Sequence, residues 1–424
     1  MPYSRRVRRQ GRRVSEEKRQ PECNIGLTGH VDHGKTTLVA ALSGVWAAHH
    51  SEELKRGITI KLGYADTVFR KCPKCAPPDA YTTKKTCPIH GVETEFLRKV
   101  SFVDAPGHES LMATMLSGAA LMDGAILVIS AAEECPQPQT REHLVALEII
   151  GVKNIVVVQN KIDAVDRQKA TENYKQILAF TKGTTAEDAP IIPVSSLHGS
   201  NVDYLIQTLE ERIKSPVRGP TKPARMYVAR SFDVNRPGTA PEKLKGGVLG
   251  GSLIQGKFKV GDEVEIRPGI KIEQGGKVSY EPILTYISSL ISGSMAVDEI
   301  GPGGLVGVGS TLDPAVTKAD NLVGSVVGKP NTLPPTRTEL RLKVSLLDRV
   351  VGTKEMQKVE HIKARESLML VVGSAVTVGT VTAAYKDDAQ LALKRPVCVE
   401  SGLRVAISRM LAGRWRLIGY GFVR

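Results

Sequence analysis

The chain has 424 residues, 41% of them hydrophobic and 24% charged, which predicts roughly two to four globular domains rather than a single core. Its longest apolar runs fall far short of the roughly 20 residues that a membrane helix needs, so we expect a cytoplasmic protein that does not enter membranes. The net charge of +14 is concentrated at the two ends. Residues 1–20 carry eight Lys or Arg against two Glu, and residues 335–424 carry sixteen against eight acidic residues. This distribution favours contacts with nucleic-acid phosphates, although a merely solvated basic surface has the same composition.

Along the chain, residues 1–20 lack apolar periodicity and are predicted to form a disordered basic tail. Residues 21–217 then alternate between short buried runs, typical of strands, and helical stretches such as 110–122. This alternation predicts an α/β domain with a mostly parallel sheet and helices on both faces. The later strands of the sheet are predicted at Val100–Val103, Ala125–Ile129, Ile155–Gln159 and Ile191–Val194.

A glycine-rich turn joins the first predicted strand to the first helix. It contains the spacing Gly29-x-x-x-x-Gly34-Lys35-Thr36 of a phosphate-binding loop. In such a loop, backbone N–H groups contact phosphate oxygens, the lysine ammonium reaches the outer phosphates and the hydroxyl binds Mg²⁺. A chance glycine turn followed by Lys-Thr is the alternative. The loop residues predicted to bind nucleotide are Asp32, His33, Gly34, Lys35, Thr36 and Thr37.

Residues 56–60 (RGITI) lie between this loop and the next nucleotide motif, where a first switch segment is expected. Thr59 is the candidate for a second hydroxyl ligand of Mg²⁺.

Four potential metal ligands cluster in residues 70–92, as C-x₂-C and C-x₂-H pairs. Two such pairs can place soft ligands tetrahedrally around Zn²⁺, and Gly91 suits the tight turn after the last ligand. We predict a structural zinc site, against the alternative of three inert thiols and a surface histidine. The predicted ligands are Cys72, Cys75, Cys87 and His90, while Cys23, Cys135 and Cys398 are expected to serve only in packing.

The sequence DAPGH begins at the end of the strand predicted over Val100–Val103. The Asp104 carboxylate there can reach Mg²⁺, and the Gly107 N–H can donate a hydrogen bond to a γ-phosphate. Because hydrolysis would break that bond, the loop is predicted to be a switch.

Two further motifs follow later strands of the sheet and predict that the base is guanine. The sequence Asn160-Lys161-Ile162-Asp163 offers a carboxylate that accepts from the ring N–H and amino group of guanine, whereas adenine has no such donor pair. The backbone of Ser195, Ser196 and Leu197 can contact the guanine carbonyl. Each motif alone is weak, but their order and their positions at strand ends predict a GTP site.

After the proline-rich linker at 216–223, short β-branched runs separated by glycines predict two β-barrels, at 222–330 and 335–424. Several cations of these barrels could contact RNA or could be ordinary surface residues, and the sequence leaves both readings open. They are Lys257, Lys259 and Arg267 in the first barrel, and Arg404, Arg409, Arg414 and Arg416 around Trp415 in the second.

The combination of GHVDHGKT, RGITI, DAPGH, PQTREH (138–143) and NKID resembles the translational GTPases, a family related to elongation factor Tu. The stretches RGITIKLGYAD and SGAALMDGAILVI are similar to the gamma subunit of translation initiation factor 2 of the archaeal type. The resemblance covers roughly residues 21–424, and it implies the α/β P-loop GTPase domain followed by two β-barrel domains.

This resemblance implies further roles for particular residues. His108 would orient the attacking water, with Lys35 and Mg²⁺ lowering the barrier, and Asp32 and Gly57 would belong to the metal environment. No cis arginine finger is evident in the sequence, which fits slow hydrolysis until a partner completes the site.

The function expected from the resemblance is a GTP-dependent carrier of initiator methionyl-tRNA to the small ribosomal subunit, in a heterotrimer with alpha and beta subunits. The alternatives are an elongation-type or special aminoacyl-tRNA carrier, a GTPase subunit of a metabolic, sulfate-activating complex, and an assembly scaffold that never hydrolyses its nucleotide.

Overall fold

The computed structural model describes residues 16, 19–45, 62–108, 111–293, 295–351 and 357–424, with only the backbone of residue 277. Residues 1–15 of the predicted tail and the predicted Mg²⁺ ligands Gly57 and Thr59 lie outside these ranges. Within them, the structure contains no helix whose length and hydropathy would let it span a bilayer.

The first part of the chain forms a seven-stranded sheet from β1 (Cys23–Thr28), β2 (Gly63–Lys71), β3 (Tyr81–Thr82), β4 (Glu95–Asp104), β5 (Gly124–Ser130), β6 (Ile155–Asn160) and β7 (Ile191–Pro193). The spatial order is β3-β2-β4-β1-β5-β6-β7. The last five strands of that order run parallel, while β2 and β3 form an antiparallel edge. The helices described in this region are α1 (Lys35–Ser43), α2 (Met112–Ala119), α3 (Pro138–Ile150), α4 (Arg167–Thr181) and α5 (Val202–Arg212).

Every residue of β1, β5 and β6 is buried, because helices cover both faces of the sheet. Alternate residues of β5 supply two different cores. Ile126 and Val128 pack with α1 and α5, whereas Leu127 and Ile129 pack with α2 and α3. The helix predicted over 110–122 ends at Ala119, because the chain turns there so that β5 can begin at Gly124.

Two barrels follow. The first closes through β11–β12 pairing and contains β8 (Arg225–Phe232), β9 (Val248–Gln255), β11 (Glu263–Gln274), β12 (Lys277–Ser292), β15 (Val306–Ser310) and β16 (Val326–Gly328). Its shorter elements are β10 (Phe258–Lys259), β13 (Met295–Val297), β14 (Glu299–Ile300) and α6 (Pro314–Thr317).

The second barrel is closed by β17 (Thr336–Leu346), β18 (Ser367–Val372), β19 (Ala375–Ala384), β20 (Asp388–Cys398), β21 (Arg404–Leu411) and β22 (Arg414–Val423). The predicted fold class, an α/β P-loop domain followed by two β-barrels, is therefore confirmed. The domain limits at 21–217, 222–330 and 335–424 stay predictions.

One hydrophobic cluster joins all three units. It combines residues of α2 and α3 with Ala229 of the first barrel and with Val371, Ala406 and Leu417 of the second. Burial of this shared apolar surface holds the barrels against the α/β domain.

A buried ion pair lies at the same junction. Arg416 Nη1 donates to Glu142 Oε1 at 2.6 Å, and both side chains are largely buried. Burial raises the pKa of Glu142, and the Arg416 guanidinium opposes that rise. Nearby, Arg404 Nη1 donates to the carbonyls of Glu148 and Ile149 at 2.9 and 3.0 Å, at the carboxyl end of α3. Of the two open readings for Arg404 and Arg416, the structure favours ordinary packing over an RNA-facing surface, because both guanidinium groups bind α3.

We expect Arg416→Met to lower the free energy of unfolding by about 3 kcal/mol, because Glu142 would stay buried without its partner. The double variant Glu142→Met/Arg416→Met should recover most of this loss, since it removes both buried charges. Urea unfolding of the two single variants and the double variant measures the coupling. Additive single-variant effects would contradict the buried pair.

Candidate functional site

The phosphate-binding loop connects β1 to α1 at the carboxyl edge of the sheet. Gly34 adopts φ 87° as the residue that precedes α1. A Cβ there would lie 2.4 Å from Asn160 Nδ2, so both the turn and the close approach require glycine. The amino end of α1 consequently presents its N–H groups where an anion can approach.

Lys35 is buried within this loop. Its Nζ donates to the carbonyl oxygens of Gly29 at 3.0 Å and His30 at 2.6 Å. Burial lowers the pKa of Lys35 to about 8, while the carboxylates of Asp104 and Asp32 favour the charged ammonium. The arrangement therefore keeps a cation inside the loop, suited to a polyphosphate.

The oxygen donors predicted to bind Mg²⁺ meet directly behind the loop. Thr36 Oγ1 donates to Asp104 Oδ2 at 2.6 Å, which joins the start of α1 to the end of β4. A hydroxyl and a carboxylate side by side are hard oxygen ligands, as Mg²⁺ requires. Asp32 lies exposed on the loop rim with φ 61°. The Thr36 hydroxyl and the Asp104 carboxylate are therefore suited to bind Mg²⁺.

The loop after β4 packs closely against the phosphate-binding loop. A Cβ on Gly107 would lie 2.5 Å from Lys35 Nζ and 3.0 Å from the Gly29 carbonyl oxygen. A larger residue at this position would therefore displace the lysine. His108 follows with an exposed side chain, immediately before residues 109 and 110, which lie outside the description.

Asn160, at the end of β6, is fully buried and connects two loops. Its Nδ2 donates to the His33 carbonyl at 2.9 Å, and its Oδ1 accepts from the Ser196 N–H at 3.1 Å and the Ser196 hydroxyl at 2.7 Å. These bonds direct the amide into the protein. Asn160 thus fixes the positions of the phosphate-binding loop and the 195–197 loop relative to each other.

Asp163 is the group of this motif that stays accessible. A hydrogen bond from the Ser195 hydroxyl is the main reason that its pKa is lowered, so the carboxylate is ionised at neutral pH. Lys161, two residues before Asp163, has a left-handed backbone at φ 61°. Leu197, two residues after Ser195, is 73% exposed. An ionised, accessible carboxylate is the acceptor that paired N–H donors of guanine need.

Three histidines, two within the phosphate-binding loop and one beside it, were not singled out by sequence as a group. The Gly29 N–H donates to His143 Nδ1 at 2.8 Å, and burial lowers the pKa of His143 to about 3. The His33 Nδ1 lies 3.1 Å from the Val128 carbonyl oxygen, and burial lowers the pKa of His33 to about 4. The His33 ring also contacts the ring of His30. His33 and His143 are therefore buried, neutral imidazoles, and His143 holds the first residue of the loop. Of the family motifs in the sequence, PQTREH is the one that contains His143.

The predicted zinc ligands converge in the segment between β2 and β4. The ligand atoms of Cys72, Cys75, Cys87 and His90 all lie within 4.8 Å of one another. The His90 Nδ1 is 3.2 Å from Cys75 Sγ and 3.8 Å from Cys72 Sγ, and the Sγ atoms of Cys75 and Cys87 are 3.6 Å apart. Ligands around a tetrahedral Zn²⁺ stand about 3.5–3.8 Å apart, so the cluster fits.

The chemistry of this cluster also suits a metal. Hydrogen bonding from the His90 N–H lowers the pKa of the Cys87 thiol to about 6, which favours a thiolate there, whereas burial and the neighbouring thiols raise the pKa of Cys75 to about 12. Gly91 turns with φ 64° directly after the last ligand.

The candidate phosphate contacts of the first barrel are already paired with carboxylates of the same barrel. Lys257 and Lys259 both contact Glu299, at 2.6 and 3.2 Å, and Arg267 contacts Glu265 at 2.7 Å. In the second barrel, Arg409 pairs with Glu366. Arg267 and Arg409 are largely buried in these pairs, which favours a structural role, whereas Lys257 and Lys259 stay exposed and resemble ordinary surface residues.

The chain matches two family models. The model described as "Elongation factor Tu GTP binding domain" covers residues 20–215, and the model described as "Initiation factor eIF2 gamma, C terminal" covers residues 338–423.

Its curated relatives match over nearly the whole chain. "Translation initiation factor 2 subunit gamma" of Methanothermobacter thermautotrophicus is 63% identical over 407 residues, which are 96% of this chain and 100% of that protein. The proteins of the same name from Pyrococcus abyssi and Archaeoglobus fulgidus are each 61% identical, over 96% and 95% of this chain and 98% and 95% of their own lengths.

Two solved structures resemble the chain at lower identity. A bacterial selenocysteine-specific elongation factor has a TM-score of 0.72 at 23% identity and covers 95% of this chain, which spans 58% of that one. The elongation factor SelB of Methanococcus maripaludis, solved with a GTP analogue, has a TM-score of 0.69 at 21% identity, over 96% of this chain and 79% of its own. At these identities the likeness shows the fold alone.

Asn160→Ala is expected to lower the free energy of unfolding by about 2–3 kcal/mol, because the His33 carbonyl and the Ser196 donors would lose their buried partner. Gln168→Ala is the matched control, since Gln168 bonds only to Glu172 on the exposed face of α4. Urea unfolding measures both variants. Equal stability of Asn160→Ala and the parent would show that the amide does not join the two loops.

Proposed function

The chain belongs to the family of translation initiation factor 2 gamma subunits and is a translational GTPase, and from this premise we propose that it carries initiator methionyl-tRNA to the small ribosomal subunit. GTP would hold the carrier in its binding form, and hydrolysis would release the cargo. The observation that supports this most is the meeting of all described GTPase motifs at one sheet edge, in a chain that matches these subunits over its whole length.

In this proposal the phosphates of GTP lie along the loop Asp32–Thr37, where Lys35 would exchange its carbonyl partners for phosphate oxygens. The Asp163 carboxylate would accept from guanine, and the backbone of 195–197 would contact the guanine carbonyl. Asn160 would act on the base indirectly, through the two loops that it connects.

For hydrolysis, we propose that His108 orients the attacking water and that Lys35 stabilises charge on the γ-phosphate oxygens. Thr36 and Asp104 would hold Mg²⁺, which supplies additional neutralisation of phosphate charge when bound. Thr59, Asp32 and Gly57 complete the proposed metal environment.

Release of cargo requires that the switch loop affects the barrels. Helix α2 begins at Met112, four residues after His108, and its residues share a hydrophobic cluster with Val371 and Ala406 of the second barrel. A change of the Gly107 loop on hydrolysis would therefore alter the packing at the domain junction. The two nucleotide states would differ in affinity for the cargo for this reason.

The partners follow from the family. Relatives of 61–63% identity are named as gamma subunits, so we propose a heterotrimer with alpha and beta subunits. An elongation-type carrier is less favoured, since the two elongation factors resemble the chain at only 21–23% identity. A metabolic GTPase subunit or a scaffold has no observation in its favour.

We further propose that Cys72, Cys75, Cys87 and His90 bind a structural Zn²⁺. All four ligand positions would be filled by the protein, so the metal would stabilise the segment rather than perform chemistry.

The carrier proposal predicts that the trimer binds initiator methionyl-tRNA at least about 10-fold more tightly with a GTP analogue than with GDP. Filter binding with the trimer, reconstituted from the alpha and beta subunits of the same genome, measures this difference. Elongator methionyl-tRNA is the matched control and should bind more weakly. Equal affinity in the two nucleotide states would refute the proposal.

His108→Ala should reduce ribosome-stimulated GTP hydrolysis by about 100-fold or more, because general acid–base and water-orienting groups contribute on this scale. Nucleotide affinity should stay within about two-fold, since the loop that binds phosphates is unchanged. Single-turnover phosphate release measures the first and fluorescent-nucleotide titration the second. An unchanged hydrolysis rate would assign the water to another residue.

The zinc proposal predicts about one Zn²⁺ per purified chain and its loss in Cys75→Ala. Cys135→Ala, which removes a half-buried thiol outside the cluster, is the matched control and should keep the metal. Elemental analysis measures both. Full zinc content in Cys75→Ala would rule out this ligand set.

A further inference from the structure

A two-stranded arm of the first barrel lies against the second barrel. From residue 270 onward, β11 and β12 continue as a ribbon that ends in a glycine turn at 275–276. We call residues 269–281 the arm. Lys271 and Tyr280 are direct cross-strand neighbours and Val278 lies two residues before Tyr280, so these three side chains stand on one face of the arm. Strand β11 lies beside β20, so this face meets the second barrel.

The arm and the second barrel border a groove of two adjoining cavities. The smaller cavity, about 470 Å³, lies between the arm, the region around α6 and one residue of β20. The larger cavity, about 650 Å³, lies between the arm and strands β18, β19, β20 and β22. Lys271, Tyr280 and Arg395 line both cavities, so they stand where the two cavities meet.

Much of the lining of both cavities is apolar or aromatic. Leu322 contributes to the smaller cavity, and Met369 and the half-buried Trp415 contribute to the larger one. Val278 of the arm also lines the larger cavity and is 51% exposed. A lining of this kind is suited to flat rings, which cover apolar surface and stack on aromatic side chains.

The charge of the groove is positive. Within the described part of the chain, the side chains of Lys394 and Arg395 form no ion pair. Lys271 pairs with Glu273 at 3.1 Å, but both side chains are more than half exposed, so the pair is weak and the ammonium can exchange partners. The Asp313 carboxylate of the lining is committed to α6, because its Oδ1 accepts a backbone N–H of that helix at 2.8 Å. The groove therefore favours an anion.

The position of Arg395 on β20 is fixed by a buried hydroxyl. The Arg395 N–H donates to Thr377 Oγ1 at 3.2 Å, and the Thr377 hydroxyl donates to the Arg395 carbonyl at 2.7 Å. Thr377 is buried on β19, so these two bonds hold the backbone of β20 at this point. The arginine is thereby presented between the two cavities.

We propose that the groove binds single-stranded RNA, with one base in each cavity and the phosphate that joins the two nucleosides on Arg395 and Lys271. Two apolar compartments with cations between them match two flat rings joined by an anion. Bases stack on aromatic side chains, and a guanidinium donates two parallel hydrogen bonds to a phosphate. The nucleic acid is RNA because the chain belongs to a family of translation factors. This binding requires neither GTP nor the initiator tRNA of the carrier proposal.

An acidic peptide suits the groove less well. Extended peptides gain affinity by adding to a strand edge that has free N–H and C=O groups. Strand β19, which lines the larger cavity, is already paired with β18 on one side and with β20 on the other. It therefore offers a peptide no backbone partners.

The test measures the affinity of the full chain, saturated with GDP, for a fluorescein-labelled oligoadenylate of about eight nucleotides. Anisotropy gives the affinity at a series of NaCl concentrations. Arg395→Gln should weaken binding about 5-fold at low salt and reduce the slope of log K against log salt by about 0.7, as expected for one phosphate contact with a single strand. Trp415→Leu should weaken binding about 10-fold with an unchanged slope, because it removes a stacking face and no charge.

The turn that joins β19 to β20 offers matched controls, because it lies at the opposite end of these strands from the groove. Lys386→Gln removes one exposed positive charge and Tyr385→Leu removes an aromatic ring that is 72% exposed. Each control should change the affinity less than about two-fold. Trp415→Phe, which keeps an aromatic face, should recover most of the affinity lost in Trp415→Leu. Circular dichroism confirms that the variants are folded.

A second probe separates stacking from charge. An oligomer of abasic ribose phosphates should bind the parent and Trp415→Leu equally and weakly, because it has no base to stack. Parent affinity for oligoadenylate in Trp415→Leu would overturn the proposal, as would equal effects of Arg395→Gln and Lys386→Gln.

Binding of an alternating glutamate–leucine decapeptide that depends on Arg395 and Trp415, with no binding of oligoadenylate, would also overturn the proposal and assign the groove to acidic peptides. The carrier proposal is judged by the difference in initiator tRNA affinity between the GTP and GDP states. Failure of either proposal would therefore be recognised independently of the other.

Discussion

The nucleotide site depends on one buried amide. Asn160 ends β6, yet its hydrogen bonds go to the loop after β1 and to the loop after β7. Parallel strands bring these loops to the same edge but do not fix their separation. The Asn160 amide fixes this separation, because its N–H group donates to one loop and its oxygen accepts from the other. These groups are buried, where the loss of a hydrogen-bond partner is costly. The relative position of the phosphate-binding loop and the 195–197 loop therefore depends on this single residue.

Local motifs could be predicted from the sequence, whereas hydrogen bonds between loops that are distant in the chain could not. The phosphate loop, DAPGH and NKID were predictable because each is a local pattern at the end of a buried strand, and topology alone brings strand ends together. The convergence of three cysteines and one histidine was predictable because spacing within one short segment constrains all four side chains. The partners of Asn160 were not, since nothing in NKID distinguishes an amide that contacts a base from one that joins two loops.

Long-range pairs explain why the sequence left the role of the last domain's arginines open. Arg416 and Glu142 are separated by 274 residues, and Arg404 binds carbonyls that no side-chain pattern marks. An arginine that alternates with apolar residues on a strand has the same local pattern whether it meets RNA, solvent or another domain. Only the packing of α3 against the second barrel decides between these environments, and that packing comes from the apolar cluster that all three units share.

Helix α3 connects the nucleotide site to that junction through two adjacent residues. His143 accepts the Gly29 N–H at the start of the phosphate-binding loop, and Glu142 holds Arg416 of the second barrel. Burial keeps His143 neutral at physiological pH, since its pKa lies near 3, so its Nδ1 stays available as an acceptor. Because this hydrogen bond is 2.8 Å long, a shift of the loop by about 1 Å that α3 did not follow would break it. Any displacement of α3 therefore acts on both the phosphate-binding loop and the second barrel, because adjacent residues of this helix are hydrogen-bonded to each of them.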